Sequence, residues 1–419
     1  MLTIWTSISL MLVAFLVTML VYPHVLSFAR KHHIVDNPNA RKLQRVPVPV
    51  MGGTTVFIGF LVSVIVGYCI APAPRIIPIM VLLFIMYAIG VWDDMKDVSA
   101  SFRFMVELLV VWFMMLLLGV EINDFHGLWG VHDIPDVVSV PLSLVAGVGI
   151  MNAINLIDGV DGYCSTYGIM ACIVFAIIFY YAGDMAMFTL ALITIGALVP
   201  FFFHNVFGKT SKMFLGDGGS LMLGTLLALF MFSTLSKDSP CAAYGDSGLN
   251  LPALVLAVLA VPVFDTLKVM IGRVAKGHSP FHPDKTHLHH LFIEMNYSHL
   301  ATSGIIVFTN AMIVGLLILA WYLGAGIDLQ FYLVFIMGFL ATWGFYYFME
   351  WQHRKNDGEG SVLYKRWSTR GKKTNFSSGA LWNIIRKIVD SRWLGGKEVV
   401  PAEKPTSPIV KERPDPRIK

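Results

Sequence analysis

PLSLVAGVGIMNAINLIDGVDG, residues 141–162, decides both how this chain folds and where it acts. The first half, 141–151, is apolar and uncharged. The second half packs Asn152, Asn155, Asp158 and Asp161 around Gly159 and Gly162. An ionisable group at bilayer depth costs a few kcal/mol, so a membrane helix that ends this way needs a reason. The side chains are oxygen donors, which suit a hard cation such as Mg²⁺ and a polar substrate. A solvated helix end with a glycine stop explains one Asp. Four such residues bracketing two glycines point to a site.

The rest of the composition agrees with a membrane setting. Hydrophobic residues make up 56% of the 419 and charged residues 14%, whereas a soluble domain carries about 25% charged residues. Cys69, Cys164, Cys172 and Cys241 are scattered without metal spacing and read as small core residues. No Lys or Arg precedes Arg30. The first apolar run therefore lacks the positive start of a secretory signal and reads as a retained helix.

Runs of about 17–25 apolar residues span a bilayer. Eleven are visible, at roughly 3–23, 51–70, 76–92, 103–120, 140–157, 162–182, 185–204, 218–236, 250–271, 302–324 and 330–350. The expected fold is all-α and polytopic, with residues 1–350 as a transmembrane catalytic domain. With the N-terminus outside, the loops 24–50, 93–102, 158–161, 205–217 and 272–301 and the tail from 351 are cytoplasmic. Every Lys and Arg except Arg75 and Lys237 then lies on or beside that side, a strong positive-inside bias. The loops 121–139 and 237–249, on the opposite side, read as connectors, the first as a small hairpin.

The tail 351–419 is basic and polar. Within it, a helix near 378–394 places Leu381, Trp382, Ile384, Ile385, Ile388, Val389 and Trp393 near one face and Arg386, Lys387 and Arg392 largely on another. That pattern suits an anionic membrane surface, or equally a docked partner. Residues 397–419 read as disordered.

The five cytoplasmic loops hold nearly all the unusual residues. Loop one has Asp36, Arg41, Lys42 and Arg45, then Gly52 and Gly53, whose N–H groups could approach a phosphate. Loop two opens with Asp93-Asp94, followed by Arg103. Loop three is the stretch quoted above. Loop four, HNVFGKTSKMFLGDGGS, frames Asp217 with glycines and carries Lys212. Loop five follows Asp265, Lys268 and Arg273 and ends in the triplet His287, His289 and His290. That triplet lacks the donor set of a zinc site, and phosphate binding fits it better. No acidic residue falls clearly mid-helix and no inverted repeat is visible, which counts against an ion-coupled transporter, the rival from another class.

With these residues in view, the chain resembles the polyprenyl-phosphate N-acetylhexosamine-1-phosphate transferases. Five ordered motifs carry the likeness: DNPNARK…PVMGG (36–53), DD…R (93–103), NAINLIDGVDG (152–162), FLGDGGS (214–220) and PVFDTLKV…R…DKTHLHH (262–290). Eleven helices and a histidine triplet interrupted by Leu288 resemble the WecA/TagO-type branch more than the MraY-type. Gln44 stands where the family often has His, and Arg103 and Glu107 where Lys and Gln are common.

The resemblance implies an Mg²⁺-dependent enzyme (Mn²⁺ being an alternative) of the bacterial cytoplasmic membrane, with its site facing the cytoplasm. It would transfer GlcNAc-1-phosphate from a UDP-sugar to undecaprenyl phosphate and release UMP. Another UDP-N-acetylhexosamine or UDP-MurNAc-pentapeptide is the alternative donor. By resemblance, Asn155 and Asp217 hold the metal, and Asp93, Asp94 and Asp217 are catalytic, with Asp93 contacting or deprotonating the carrier phosphate. A two-step path through an aspartyl phosphate is the rival mechanism. Gly159, Val160, Asp161 and Phe214 resemble a uridine pocket, helped by Arg45. Arg273, His287, His289 and His290 would hold the diphosphate or the sugar, and Asp158 and Asp265 also belong to the site. The partners implied are the UDP-sugar, the lipid carrier and the membrane, with no nucleic acid; a homodimer stays open.

Overall fold

The computed structural model describes residues 2–36, 47–279, 286–355, 362–373 and 380–391. Arg41, Lys42, Arg45, Asp284, Lys285, Arg392, Trp393 and residues 397–419 lie outside the described residues.

Eleven helical segments among the described residues are long and apolar enough to cross a membrane. The protein is an all-α, polytopic membrane protein. The spans are α1 (Ile4–Lys31), α2 (Gly52–Ile70), α3 (Ile76–Lys96), α4 (Ala100–Leu118), α5 (Asp136–Leu156), α6 (Tyr163–Ala182), α7 (Met185–Phe207), α8 (Gly216–Leu235) and α9 (Leu251–Ala275). A short α10 (Leu288–Glu294) precedes α11 (His299–Tyr322). The last span joins α12 (Ile327–Phe339) to α13 (Phe345–Arg354) through a π turn at Leu340–Gly344. One two-stranded ribbon pairs β1 (Val35–Asp36) with β2 (Val48–Pro49).

Several helices run past the ends that hydropathy alone assigns. α1 continues to Lys31, and its closing Arg30 and Lys31 complement the negative helix end. α3 continues to Lys96 and stops only where Asp97 turns left-handed, with φ 48°. Asp93 and Asp94 are therefore on the last turn of a helix and not in a loop. The extension fixes their direction, which a loop would leave open.

α8 is the centre of the bundle, and its whole apolar stretch is buried. α3, α5 and α2 pack around it. Between helices in lipid there is little hydrophobic driving force, so close approach of small residues does the holding. Gly90 of α3 lies against the first turn of α8, where a Cβ would come 2.5 Å from the Gly218 nitrogen. Gly216, at the mouth of α8, has φ +75°, and a Cβ there would press on the Val50 carbonyl and on Asp94. Glycine is required at this position for both reasons.

At the opposite end of the bundle, residues 121–139 do form a small hairpin, bridged at Asp124 and Asp133. The backbone N–H of Trp129 donates to Asp328 at 2.8 Å, and its indole N–H donates to Tyr332 at 3.0 Å. Arg75 and Lys237, the two cations outside the positive-inside pattern, are at this end, bound to the Leu118 carbonyl and to Asp133.

The tail contributes α14 (Val362–Lys373) and α15 (Ala380–Val389). α15 docks on α7, with the Trp382 ring 4.6 Å from Phe207 and Val389 buried. Leu381, Ile384 and Ile388 stay exposed. The apolar residues expected on one face are therefore divided between the protein and the outside.

Candidate active site

The motif-bearing helix ends meet around the N-terminus of α8. Asp217 sits on its first turn, where the helix dipole favours negative charge. One Asp217 oxygen accepts from the Asn155 amide at 2.7 Å, and that amide also donates to Ser220 at 3.0 Å. The pair assigned to the metal is thus in direct contact. Rotation of the Asn155 amide by half a turn would present its oxygen instead of its nitrogen.

Asp94 takes the N–H groups of Asp217 and Gly218 at 3.0 and 3.2 Å. It caps α8 from another helix and satisfies donors that a helix start leaves open. Asp93 has both oxygens taken, one by the Val98 N–H and one by Arg103, each at 2.8 Å. Arg103 also lies 3.6 Å from Asp217 and 3.6 Å from Glu107. Asp158 accepts from the Gly216 N–H at 3.2 Å. Burial pushes the Asp158 carboxyl well up, and the charges of Asp217 and Asp94 add to that.

The second half of the opening stretch is different. Asp161 pairs with Lys212 at 2.6 Å and His299 at 2.8 Å. Burial alone would raise its carboxyl, but His299 and Lys212 bring it below the usual range. Ser303 donates to the Asp161 carbonyl at 2.9 Å, and the Gly162 N–H donates to Asn205 at 2.6 Å. The Lys212 ammonium stands 5.5 Å from the centre of the Phe214 ring. The Val160 side chain is buried in the core.

The third group lies at the end of α9. Asp265 pairs with Lys268 at 2.7 Å and His287 at 3.0 Å, and accepts from the Leu288 N–H at 3.0 Å. It is a positioning group for the histidine segment. His289 is buried against the opening stretch, and a Cβ at Gly159 would stand 3.1 Å from its Nε2. Burial lowers its pKa well below the ordinary value, and His290 and His287 lower it further. Among the described residues, the buried His287 Nε2 and His289 Nδ1 find no hydrogen-bond partner. Buried polar atoms are normally paired, so these two nitrogens mark a place for a ligand or water. The His290 ring is tilted against His289, with centroids 4.4 Å apart, and Arg273 is buried at the helix end.

Cys164, Cys172 and Cys241 are buried as expected, but Cys69 is exposed and is not a core residue. Two further expectations need correction. The N–H groups of Gly52 and Gly53 are taken by the Phe214 and Leu215 carbonyls, at 2.9 and 2.7 Å, so these glycines serve close packing on α8 and not a phosphate. The absence of acids inside helices does not hold either. Glu107 is fully buried two turns into α4, bonded to Asn152 and facing Arg103. Asp265 is buried within α9. Both belong to the ring of polar groups around the site and not to a midplane path. His299 and Asn205 join the site without having been singled out: His299 lies outside the motifs, and Asn205 stands at the start of loop four, far in sequence from the Gly162 N–H it binds.

The sequence model described as glycosyl transferase family 4 matches residues 76–235. That range opens with α3 and closes with α8, and it contains every acid of the Asp217 cluster. A probable undecaprenyl-phosphate N-acetylglucosaminyl 1-phosphate transferase of Bacillus subtilis (strain 168) is 30% identical over 290 residues, covering 69% of this chain and 77% of that protein. The chain belongs to glycosyl transferase family 4. An undecaprenyl-phosphate alpha-N-acetylglucosaminyl 1-phosphate transferase of Escherichia coli (strain K12) is 29% identical over 306 residues, covering 70% of this chain and 78% of that protein. The protein of that name from Yersinia pestis is 28% identical over 279 residues, covering 64% and 72%. This family-4 protein is accordingly a membrane-embedded transferase enzyme.

The donor set also bears on a metal. Asp217, Asn155 and Asp158 offer only oxygen ligands. Among the described residues, no group of three or more His, Cys, Asp or Glu is close enough to cage an ion. The oxygen chemistry of Asp217, Asn155 and Asp158 is of the kind Mg²⁺ takes, one or two carboxylates with water and substrate phosphate completing its shell. Burial does most to raise the Asp158 carboxyl, and the nearby Asp217 and Asp94 charges add to it.

Proposed function

We propose that this protein transfers N-acetylglucosamine-1-phosphate from UDP-N-acetylglucosamine to undecaprenyl phosphate at the cytoplasmic face of a bacterial inner membrane. The observation that carries this reading is the acid cluster at the start of α8, set at one end of a membrane bundle. A lipid phosphate and a cytosolic nucleotide sugar can meet only at such an end. The positive-inside distribution supports a cytoplasmic site and an external N-terminus.

In this reaction an oxygen of the carrier phosphate bonds to the sugar-linked phosphorus. The bond from that phosphorus to the bridging oxygen breaks, and UMP leaves with the electron pair. The carrier phosphate, with a second pKa near 6, is mostly ionised already. Asp93 then has little need to act as a base, and its ion pair with Arg103 suits it to aiming that guanidinium at phosphate. Asp217, Asn155 and Asp158 would hold Mg²⁺, which supplies charge neutralisation on the diphosphate. Phe214 offers a stacking face for uracil. Lys212 and Asp161 frame the nucleotide end, and Arg273 with the three histidines binds the diphosphate or the sugar. The tail helix α15 rests its exposed Leu381, Ile384 and Ile388 on the lipid surface, with Arg386 and Lys387 as the anionic-lipid contacts.

The test is UMP release from UDP-N-acetylglucosamine, polyprenyl phosphate and Mg²⁺ by purified protein in detergent. A donor panel read by the mass of the lipid product identifies the sugar. No UMP with any UDP-sugar would sink the reading.

A further inference from the structure

The loop between α7 and α8 is held from two sides. α1 holds its carbonyls: the Tyr22 hydroxyl donates to the Ser211 carbonyl at 2.8 Å, and Arg30 donates to that of Thr210. Its N–H groups point the other way, to the tail. Lys209, Thr210 and Ser211 donate their backbone N–H groups to the Asp390 carboxylate at 3.0, 3.1 and 2.9 Å. The Ser211 hydroxyl adds a fourth bond at 2.9 Å. Three successive N–H groups converging on one point form a nest for an anion, and the end of α15 fills it. Partial burial pushes the Asp390 carboxyl up, and the N–H groups of Lys209 and Ser211 bring it below its usual range.

The next residue in the loop is Lys212, whose ammonium is on Asp161, and two further on is Phe214. We propose that Asp390 is a positioning residue: α15 latches the 209–211 turn, and the latch keeps Lys212 and Phe214 set for the nucleotide. The 209–211 turn lies inside the segment 76–235 matched by the family's sequence model, whereas Asp390 lies outside it, in the tail. The site is thereby tied to a tail helix whose Leu381, Ile384 and Ile388 are exposed. The role given to Lys212 and Phe214 rests on the function proposed above.

Two measurements on the full chain in detergent test the latch. The first is hydrogen exchange at the 209–211 amides, which needs no substrate. Asp390→Ala should speed exchange at these amides by about 10-fold or more, the effect of losing charge-assisted bonds. The second is steady-state kinetics. Asp390→Ala should raise KM for UDP-N-acetylglucosamine about 5-fold while kcat and KM for polyprenyl phosphate stay within about 2-fold. Asp390→Asn keeps an acceptor without the charge and should fall between Asp390→Ala and the wild type. Unchanged exchange overturns the latch, and so does an unchanged nucleotide KM. A shift of kcat and both KM values together would show general damage and also overturn it. If the wild type releases no UMP, the functional reading fails, and exchange alone decides the latch.

Discussion

Asp158 and Asp161 are three residues apart between α5 and α6 and meet opposite surroundings. Asp158 faces Asp217 and Asp94, with burial and like charge both opposing its ionisation. Asp161 faces Lys212 and His299, which favour its ionisation in spite of burial. Asp265 repeats the second pattern, between Lys268 and His287. A buried acid paired with a lysine has its charge balanced within the protein and calls for no added cation. Acids crowded together around Arg103 are incomplete, and incompleteness of that kind marks a place for an added cation.

The largest effect should come from the crowded side. Asp217→Asn should lower UMP release roughly 10³-fold, the scale of several kcal/mol of lost charge stabilisation. Its thermal unfolding in detergent should stay near that of the wild type. Full activity would remove Asp217 from the proposed metal site.

The paired side should fail in the opposite manner. Asp265→Ala leaves the Lys268 charge buried without the acid it now pairs with, and should cost about 3–5 kcal/mol of stability. Denaturation in detergent reads this directly. A stable variant that loses only turnover would move Asp265 from scaffold to chemistry.

Lys212→Met should raise KM for UDP-N-acetylglucosamine about 10-fold, or ~1.4 kcal/mol, with a smaller change in kcat. An unchanged KM would end the role of the Asp161–Lys212 pair at the nucleotide.

The smallest effect is a pH slope in protein stripped of divalent ions. Asp158 keeps its proton to higher pH in the fold than in the unfolded chain, where its ordinary value is 3.8. Above that value the native state binds more protons, so stability should fall as pH rises, by at most about 1.4 kcal/mol per unit. Asp158→Asn should flatten this fall. Asp161 has the opposite sign: its stabilisation is present above 3.8 and is lost as pH falls through its lower folded value. Asp161→Asn should therefore remove part of the acid-side loss instead. The same slope in both variants would erase the contrast between the two aspartates.

Much of the molecule is legible in its order of residues. Hydropathy locates eleven spans because a bilayer demands long apolar runs. The five motifs are visible because acids, histidines and glycines are conspicuous against apolar helices. What stays hidden depends on contacts between distant residues. Glu107 lies among Val, Leu and Phe and carries no local signal of its pairing with Asn152. His299 looks like the ordinary start of a helix until α11 brings it to Asp161. Gly52 and Gly53 have the local pattern of a phosphate cradle, but their N–H groups are used by the chain itself. The basic tail helix shows its amphipathic face in sequence, and nothing in its order of residues points to the loop that Asp390 binds.

The sequence by itself determined that this chain carries eleven runs long and apolar enough to cross a membrane, with its five motifs in loops that alternate along one side of them. Length and hydropathy are local, additive properties, so they survive without coordinates. Only the tertiary structure decided which acids share a charge balance and which stand against one another. That outcome depends on distances of a few ångströms between helices far apart in the chain, where burial multiplies every charge interaction. NAINLIDGVDG carries two aspartates alike in sequence, and the fold alone made one crowded and the other paired.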